Sequence, residues 1–268
     1  MSSIKRAISV VELLARKGPL GVRSVAKQLN LPLGSVHRLL HDLAAESVVE
    51  RTPDGDWELS YRLSEISGLH LERIAFPHLA RPFCERIARA TGETVNVNAR
   101  NGLTAVCVDK VRGNERMQLD MPIGAHGQLY CGGAGKAVLA YLGESDRERV
   151  LAGNLAALTP TTLIDPDGLR AEIARIRARG YSIDNQEVVA GVFCVAVPIL
   201  DRLGNPVGAL SVSGPEPKAP GTAILPVVTM LNEAAGYVSR RLGYAGAWPP
   251  AAESESESES EAVRLAAG

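Results

Sequence analysis

The chain has 268 residues, 46% of them hydrophobic, and a formal net charge of −1, so its length and apolar content suffice for two domains with buried cores. No apolar run approaches the length of a membrane span, and the N-terminal segment lacks a signal-peptide core. We therefore expect a cytoplasmic protein without membrane contact. The widely spaced cysteines form no C-x-x-C pair, which argues against a structural zinc site and a disulfide framework. They are Cys84, Cys107, Cys131 and Cys194.

The small net charge hides an asymmetry between the two ends of the chain. Up to residue 41, seven basic residues face one acidic residue, Glu12, which gives this segment a formal charge of +6. Near the other end, residues 253–261 alternate Glu and Ser, and without these five glutamates the whole chain would have a charge of +4. The basic segment suits a polyanionic partner, and the acidic tail, which has nothing to bury, is expected to be disordered.

Residues 21–45 predict two short helices that meet at a tight turn formed by Asn30, Leu31 and Pro32. The second helix has one apolar face and one polar face. The apolar face consists of Val36, Leu39, Leu40 and Leu43, and the polar face of Ser35, His37, Arg38, His41 and Asp42. An amphipathic helix over residues 4–15 precedes the pair, and a hairpin signal at residues 52–55 follows it. This order predicts a winged helix-turn-helix over residues 1–60, whose second helix enters the major groove of double-stranded DNA.

We expect the second helix to contact base edges and the surrounding basic side chains to contact phosphates. The predicted DNA-binding residues are Arg23, Ser24, Ser35, Val36, His37, Arg38, His41 and Arg51, with Lys5, Arg6 and Lys27 as further phosphate contacts. Two alternatives remain open, an ion pair between Arg38 and Asp42 and a metal ion held by His37 and His41. The DNA assignment is favoured because no Cys or third His lies nearby in the sequence, and no metal is expected.

The rest of the chain is expected to comprise a linker helix over residues 61–76, an α+β domain over residues 77–245 and the acidic tail over residues 246–268. Strands are predicted at 94–100, 103–111, 116–121, 181–188, 193–201 and 206–214, with a hairpin turn at Asn101-Gly102. Helices are predicted at 79–90, 132–142, 145–151, 169–180 and 222–242. This order indicates a mostly antiparallel sheet flanked by helices, not a parallel βαβ arrangement.

Three blocks of the sequence resemble the IclR family of transcription regulators. One is VHRLLHDL at residues 36–43, and another is GAGKAVLAYL at residues 133–142. The third is a spaced run of Asp184, Glu187, Gly191, Cys194, Ala196, Pro198, Asp201, Gly204, Gly208, Ser211 and Ser213. The resemblance extends over residues 4–243. It departs at Ser47, where the family commonly has glycine, so we expect the second helix to end differently and to re-aim the wing.

The resemblance implies a DNA-binding regulator whose C-terminal, GAF-like domain binds a small-molecule effector, often an organic acid, and which assembles as a homodimer or homotetramer. It assigns the effector site to Gly133, Ala134, Asp184, Val192, Cys194, Ser211 and Ser213. The chemistry of these residues agrees, because a helix that starts at Gly133 offers unpaired N–H groups to a carboxylate. Ser211 and Ser213 are two apart on a strand and so face the same side. The effector, the operator, and the choice between repression and activation are not fixed by the resemblance.

Other chemistry has weaker support in the sequence. The GGAGKA segment lacks the spacing of a phosphate-binding loop or a dinucleotide fingerprint, so no cofactor is expected. Asp184 and Glu187 are three apart on a predicted strand and are expected on opposite faces, which disfavours a paired-carboxylate acid–base site. The competing hypothesis is an enzyme that uses the Cys194 thiol as a nucleophile. An inert cysteine in the pocket wall is favoured, and no catalytic residue is assigned.

Overall fold

The computed structural model describes residues 2–73, 76–114, 121–215 and 224–250. The chain divides into two compact units, residues 1–75 and 76–268. The strand predicted at residues 116–121 falls, apart from Met121, outside the described residues, and so does the acidic tail from residue 251. None of the described helices is both long and apolar enough to cross a membrane.

The first unit contains the three helices and the hairpin that the sequence predicts. Its elements are α1 (Ser3–Lys17), α2 (Val22–Leu29), α3 (Leu33–Ala45), β1 (Val49–Arg51), β2 (Trp57–Leu59) and α4 (Arg62–Arg73). Asn30 ends α2 with a left-handed φ of 51°, which lets the chain turn sharply into α3. The wing is joined to the start of α2 by two backbone hydrogen bonds between Leu20 and Trp57, of 2.9 and 3.0 Å.

The core of this unit collects the apolar faces of α1, α2 and α3 against the wing. Its buried members are Val10, Leu14, Val25, Ala26, Val36, Leu40, Val49 and Trp57. Val36 has no exposed surface, so it cannot contact DNA, and its inclusion among the DNA-binding residues was wrong. The reason is the helical repeat that Val36 shares with Leu40, which turns both side chains towards α1 and α2.

Ser47 ends α3 in the way a glycine would. Its φ is 58°, its N–H donates to the carbonyl of Ala44 (2.9 Å), and the N–H of Val48 donates to the carbonyl of Leu43 (2.8 Å). This pair of bonds is the Schellman pattern that usually carries glycine at this position. The expectation that serine would change the end of the helix was therefore wrong, because the backbone bonds hold Ser47 in the left-handed conformation.

The second unit is an α+β fold built on one sheet. Its elements are α5 (Phe76–Thr91), β3 (Thr94–Asn101), β4 (Thr104–Val111), β5 (His126–Gln128), α6 (Gly133–Ala140), α7 (Glu144–Leu151), α8 (Pro166–Arg179), β6 (Ser182–Asn185), β7 (Val192–Leu200), β8 (Pro206–Pro215) and α9 (Leu225–Arg241). The turn between β3 and β4 lies one residue later than predicted, at Gly102 and Leu103, because Asn101 pairs with Thr104.

The six strands are ordered β5-β4-β3-β8-β7-β6, and each neighbouring pair is antiparallel, which confirms the predicted fold class. Alternate residues along a strand face opposite sides of the sheet. Ala196 and Ala209 lie in the core formed with α6, α7 and α8, whereas the opposite face packs against α5 and α9. Every second residue of the central strands β3, β7 and β8 therefore lies on the side of the sheet that α6 covers.

Replacing Ser47 by glycine is expected to stabilise the first unit. A left-handed backbone costs a residue with a Cβ roughly 1 kcal/mol, so Ser47→Gly should raise the local free energy of unfolding by about 0.5–1 kcal/mol. Ser24→Gly, inside α2, should lower it by a similar amount. Hydrogen exchange of the buried amides of α3 measures both changes, and destabilisation by Ser47→Gly would contradict the glycine-like cap.

Candidate functional site

The outer face of α3 carries an exposed polar surface in the first unit. His37, Arg38 and His41 are exposed, and Ser35 is half-buried. Of the other predicted DNA contacts, Arg23 and Ser24 are exposed on α2, and Arg51 is exposed on β1. Lys5 and Lys27 are exposed and Arg6 is half-buried. Apart from Val36, the predicted residues are thus accessible to a partner.

A chain of ring contacts joins α3 to the wing. The rings of His37 and His41 lie 4.5 Å apart, and His41 meets the edge of Trp57 at 5.6 Å. On β1, the Arg51 guanidinium lies 4.7 Å from the centre of the same Trp57 ring. This role of Trp57 was not predicted, although its position in the predicted wing was an available signal. The contacts fix the spacing between the exposed faces of α3 and β1.

The two alternatives for the polar face of α3 receive no support from the described residues. No ion pair joins Arg38 to Asp42 within the described chain. Arg38 instead lines a shallow hollow together with Ser3, Arg6, Ser35 and Asp42. His37 and His41 belong to no group of three or more described His, Cys, Asp or Glu residues that could hold a metal ion.

All seven predicted effector residues line one cavity of about 100 Å³ in the second unit. A water molecule occupies about 30 Å³ in the liquid, so the cavity has room for roughly three waters or one small organic molecule. The wall also contains residues that the sequence analysis did not assign, among them Asn96, Asn98, Gln128, Cys131 and Gly132. The strands bring Asn96 and Asn98 there because β3 pairs with β8, and this pairing was not part of the sequence prediction.

The cavity lies at the N-terminus of α6, where the backbone approaches β7 closely. Gly132, just before the helix, has a left-handed φ of 75°. A Cβ on Gly133 would lie 2.7 Å from the Cys194 sulfur, so only glycine fits between α6 and β7. The first N–H groups of a helix have no partner within it and carry a partial positive charge. This end of α6 can therefore receive an anionic or carbonyl oxygen.

A buried ion pair anchors the start of α6 to the turn after β6. The Lys136 side chain, 2% exposed, contacts the Glu187 carboxylate, which also accepts a hydrogen bond from the Gly132 N–H (3.3 Å). Lys136 was not predicted to belong to the site. The prediction that Glu187 lies on a strand and faces away from Asp184 was wrong. The strand ends at Asn185, and the chain turns at Gln186 (φ 61°), so that the Glu187 N–H donates to the Asp184 carboxylate (2.7 Å).

Two amide–hydroxyl pairs complete the polar wall. The Asn96 and Asn98 side-chain amides donate to the hydroxyls of Ser213 and Ser211, both at 3.4 Å. Asn96 is 4% exposed, and its side-chain oxygen has no hydrogen-bond partner within the described chain. A buried acceptor without a donor costs free energy, which a ligand group that donates a hydrogen bond to this oxygen would recover.

Burial keeps the two pocket thiols protonated. It raises the pKa of Cys194 to about 11, with a further contribution from the nearby Asp184 charge. Burial and the Glu187 charge raise the pKa of Cys131 to about 12. A nucleophilic cysteine needs a lowered pKa, so neither thiol is prepared for catalysis. Burial also raises the pKa of Asp184, to about 6, although the Glu187 N–H and the Lys136 charge oppose it.

Family models match both units of the chain. The family described as "Bacterial transcriptional regulator IclR C-terminal" matches residues 69–240, and the "IclR helix-turn-helix domain" matches residues 3–53. The chain belongs to the IclR family of bacterial transcriptional regulators. Its relatives are DNA-binding regulators with a C-terminal effector domain and are not enzymes, so the enzyme hypothesis was wrong.

Individual relatives match along most of the chain. The HTH-type transcriptional repressor AllR of Escherichia coli K12 is 31% identical, with 90% of each chain covered. The Thermotoga maritima IclR crystal structure is also 31% identical and has a TM-score of 0.79, covering 90% of this chain and 98% of that one. An IclR homologue from Microbacterium hydrocarbonoxydans, solved in complex with 4-hydroxybenzoate, shares the fold at 24% identity and a TM-score of 0.79, with 90% and 99% covered.

Asp184→Asn is expected to stabilise the protein at neutral pH. Burial raises the pKa of this carboxyl from the usual value of about 3.9 for aspartate to about 6, so between these two values the folded state binds more protons than the unfolded state. The ionised side chain therefore destabilises the fold increasingly as the pH rises through this window, by up to about 3 kcal/mol.

Urea unfolding at several pH values measures this effect. The free energy of unfolding of the Asp184→Asn protein should exceed that of the wild type above about pH 6, and the two values should converge below about pH 4. Asp167→Asn, at an exposed aspartate, should show no such trend. A less stable Asp184→Asn protein at neutral pH would contradict the assigned burial cost.

Proposed function

We propose that this protein is a cytoplasmic, homo-oligomeric repressor whose affinity for its operator is controlled by a small organic acid in the cavity at the start of α6. Membership of the IclR family supplies DNA binding and regulation. The name of the relative AllR supports repression, and the complex of the Microbacterium homologue supports a small carboxylic acid as the ligand class. The observation that carries the proposal is the gathering of all seven expected effector residues around one cavity.

The DNA side of the proposal rests on the exposed face of α3. Arg38 and the two histidines in ring contact, His37 and His41, would reach base edges in the major groove. Ser35, Arg23 and Ser24 would contact the rim of the groove. Arg51 would follow the backbone from the wing, because its contact with Trp57 holds it at a fixed distance from α3. Lys5, Arg6 and Lys27 would add phosphate contacts, which give binding a steep salt dependence.

The effector side rests on the chemistry of the cavity wall. The N-terminus of α6 at Gly133 and Ala134 would hold the ligand carboxylate. The hydroxyls of Ser211 and Ser213 each accept a hydrogen bond from an asparagine amide and also lie within reach of the Cys194 sulfur. A ligand carboxylate, a stronger acceptor than sulfur, would take over their hydrogens. Asp184, Val192 and Cys194 would close the remaining sides. The size of the cavity favours a compact acid over a large apolar ligand.

The link between the two sites is a difference in effector affinity between two arrangements of the paired DNA-binding units. A ligand can shift such an equilibrium only by the amount by which it binds one arrangement better. A coupling of about 1–3 kcal/mol changes operator affinity by roughly 5- to 150-fold, which is sufficient for regulation. An effector that binds and leaves operator affinity unchanged would contradict this part of the proposal.

Arg38→Ala should weaken binding to the operator by about 10- to 100-fold, because a base contact by arginine is worth about 1–3 kcal/mol. Effector binding should be unchanged. Arg16→Ala, at an exposed arginine in the last turn of α1, serves as the charge-matched control and should have a much smaller effect. Fluorescence anisotropy with labelled operator measures both. Equal losses of operator affinity in the two variants would show that Arg38 makes no specific contact with DNA.

Ser211→Ala and Ser213→Ala should each weaken binding of the acid about tenfold, because each removes one hydrogen bond to a charged group. Calorimetric titration with acetate, propionate, lactate, benzoate and 4-hydroxybenzoate tests this and finds the acid that binds best. Thr229→Ala removes an exposed hydroxyl on α9 and is the control. If none of these acids binds the wild-type protein, the organic-acid assignment is wrong.

A further inference from the structure

The cavity that suits a carboxylate already contains one carboxylate. Among the described residues of its wall, Asp184 is the one whose side chain can carry a full charge near neutral pH, and none is Lys, Arg or His. The nearest ammonium group, that of Lys136, contacts the Glu187 carboxylate directly. The pair formed by Lys136 and Glu187 is neutral as a whole, so the site has a net charge of −1 when Asp184 is ionised.

The groups that face Asp184 come from each element around it. From the turn after β6 come the N–H of Glu187, which donates to Asp184 Oδ1 at 2.7 Å, the N–H of Val188, which also favours the ionised form, and the Glu187 carboxylate. From α6 comes Lys136, from β7 the Cys194 thiol, and from the segment before α6 the Cys131 thiol. The thiols are neutral, so the only cation among these groups is the one that already contacts Glu187.

The second oxygen of Asp184 points towards the start of α6. A Cβ built on Gly132 would lie 3.8 Å from Asp184 Oδ2, and Gly132 is the residue immediately before the helix. A ligand carboxylate held by the first N–H groups of α6 would therefore lie beside this oxygen. Two carboxylates that share a site cannot both ionise without a large cost, and one of them retains a proton.

We propose that the cavity binds a small monocarboxylic acid together with one proton taken from solvent, and that Asp184 holds this proton in a hydrogen bond to the ligand carboxylate. This inference rests on the proposed effector site and names the form in which the ligand is bound. The proton adds to Asp184, so the bound pair carries a single negative charge beside the positive end of α6. A hydrogen bond between a carboxyl and a carboxylate is among the stronger types.

The cost of taking up the proton is small in this site. Burial has already raised the pKa of Asp184 to about 6 in the unliganded chain. A neighbouring ligand charge raises it further, because a like charge disfavours ionisation. The ligand therefore binds best below about pH 6, where Asp184 is already protonated, and binding weakens as the pH rises, up to the pKa of the complex.

This mode of binding also predicts which acids enter. A dicarboxylate brings a second negative charge into a cavity that lacks a free cation among its described wall residues, so it should bind less well than a monocarboxylate of similar size. Propionamide, the uncharged analogue of propionate, needs no proton. Its affinity should therefore not weaken with rising pH in the way that the affinity of the acid does.

The test is calorimetric titration of the full-length protein with the best-binding acid of the series named above, at several values between about pH 5.5 and about pH 8.5. The dissociation constant should rise by up to about tenfold per pH unit above about pH 6. Repeating the titration in buffers with different ionisation enthalpies gives the number of protons taken up, which should approach one per ligand. These two results need no variant.

Asp184→Asn separates this inference from a general effect of pH. The asparagine oxygen can still accept the Glu187 N–H, while the negative charge is lost. Affinity for the acid should become nearly independent of pH and exceed that of the wild type at about pH 8. Asp167→Asn should retain the wild-type pH dependence.

The outcomes distinguish the two proposals. Binding of the acid with no proton uptake, or with a pH dependence that persists in Asp184→Asn, overturns the role of Asp184 and leaves the effector site intact. Failure of every acid in the series to bind overturns the effector class and this inference together.

Discussion

The buried contact between Lys136 and Glu187 is the interaction on which the effector site depends. It joins α6 to the turn after β6, two segments far apart in the chain, and the Gly132 N–H donates to the same carboxylate. The start of α6 is thereby held against β7, where glycine leaves room for the cavity. Removing either partner would leave a buried charge unpaired, at a cost of about 3–5 kcal/mol. The same contact holds the Lys136 ammonium on Glu187, and no described residue of the cavity wall is Lys, Arg or His, so helix N–H groups and hydroxyls are left to receive an anion.

The surface of the first unit depends on a comparable constraint. Trp57, on β2 of the wing, is buried, and its ring is in contact with both His41 and Arg51. The wing and the outer face of α3 therefore share a common support. The Schellman cap at Ser47 fixes the direction in which the chain leaves α3 and enters that wing. The core of the unit thus sets the position and orientation of the polar side chains. In this way a small domain can present a rigid surface to the major groove of DNA.

Local patterns predicted most of this fold, and long-range contacts account for what they missed. Helical repeats gave α1 to α3, and alternation along β3 and β8 placed Ser211 and Ser213 on one face. The prediction that Asp184, Cys194 and Gly133 share one site came from the family resemblance, not from their spacing in the sequence. The contact between Lys136 and Glu187 could not be read from the sequence, since neither residue has a local signal for burial. The turn at Gln186 was missed because left-handed φ is uncommon outside glycine. Val36 was an avoidable error, because it lies on the apolar repeat that the sequence itself contains.

The central claim, that an acid in the cavity controls binding to specific DNA, is tested most directly by binding the purified full-length protein to fragments of its host genome at physiological salt. The experiment is done with and without the acid that binds best in calorimetry. The account predicts discrete sites that share a symmetric motif, and occupancy that changes at least several-fold when the acid is added. Discrete sites whose occupancy does not change when a binding acid is added would contradict the coupling between effector and DNA. Diffuse binding under both conditions would contradict the claim that the protein recognises a specific operator.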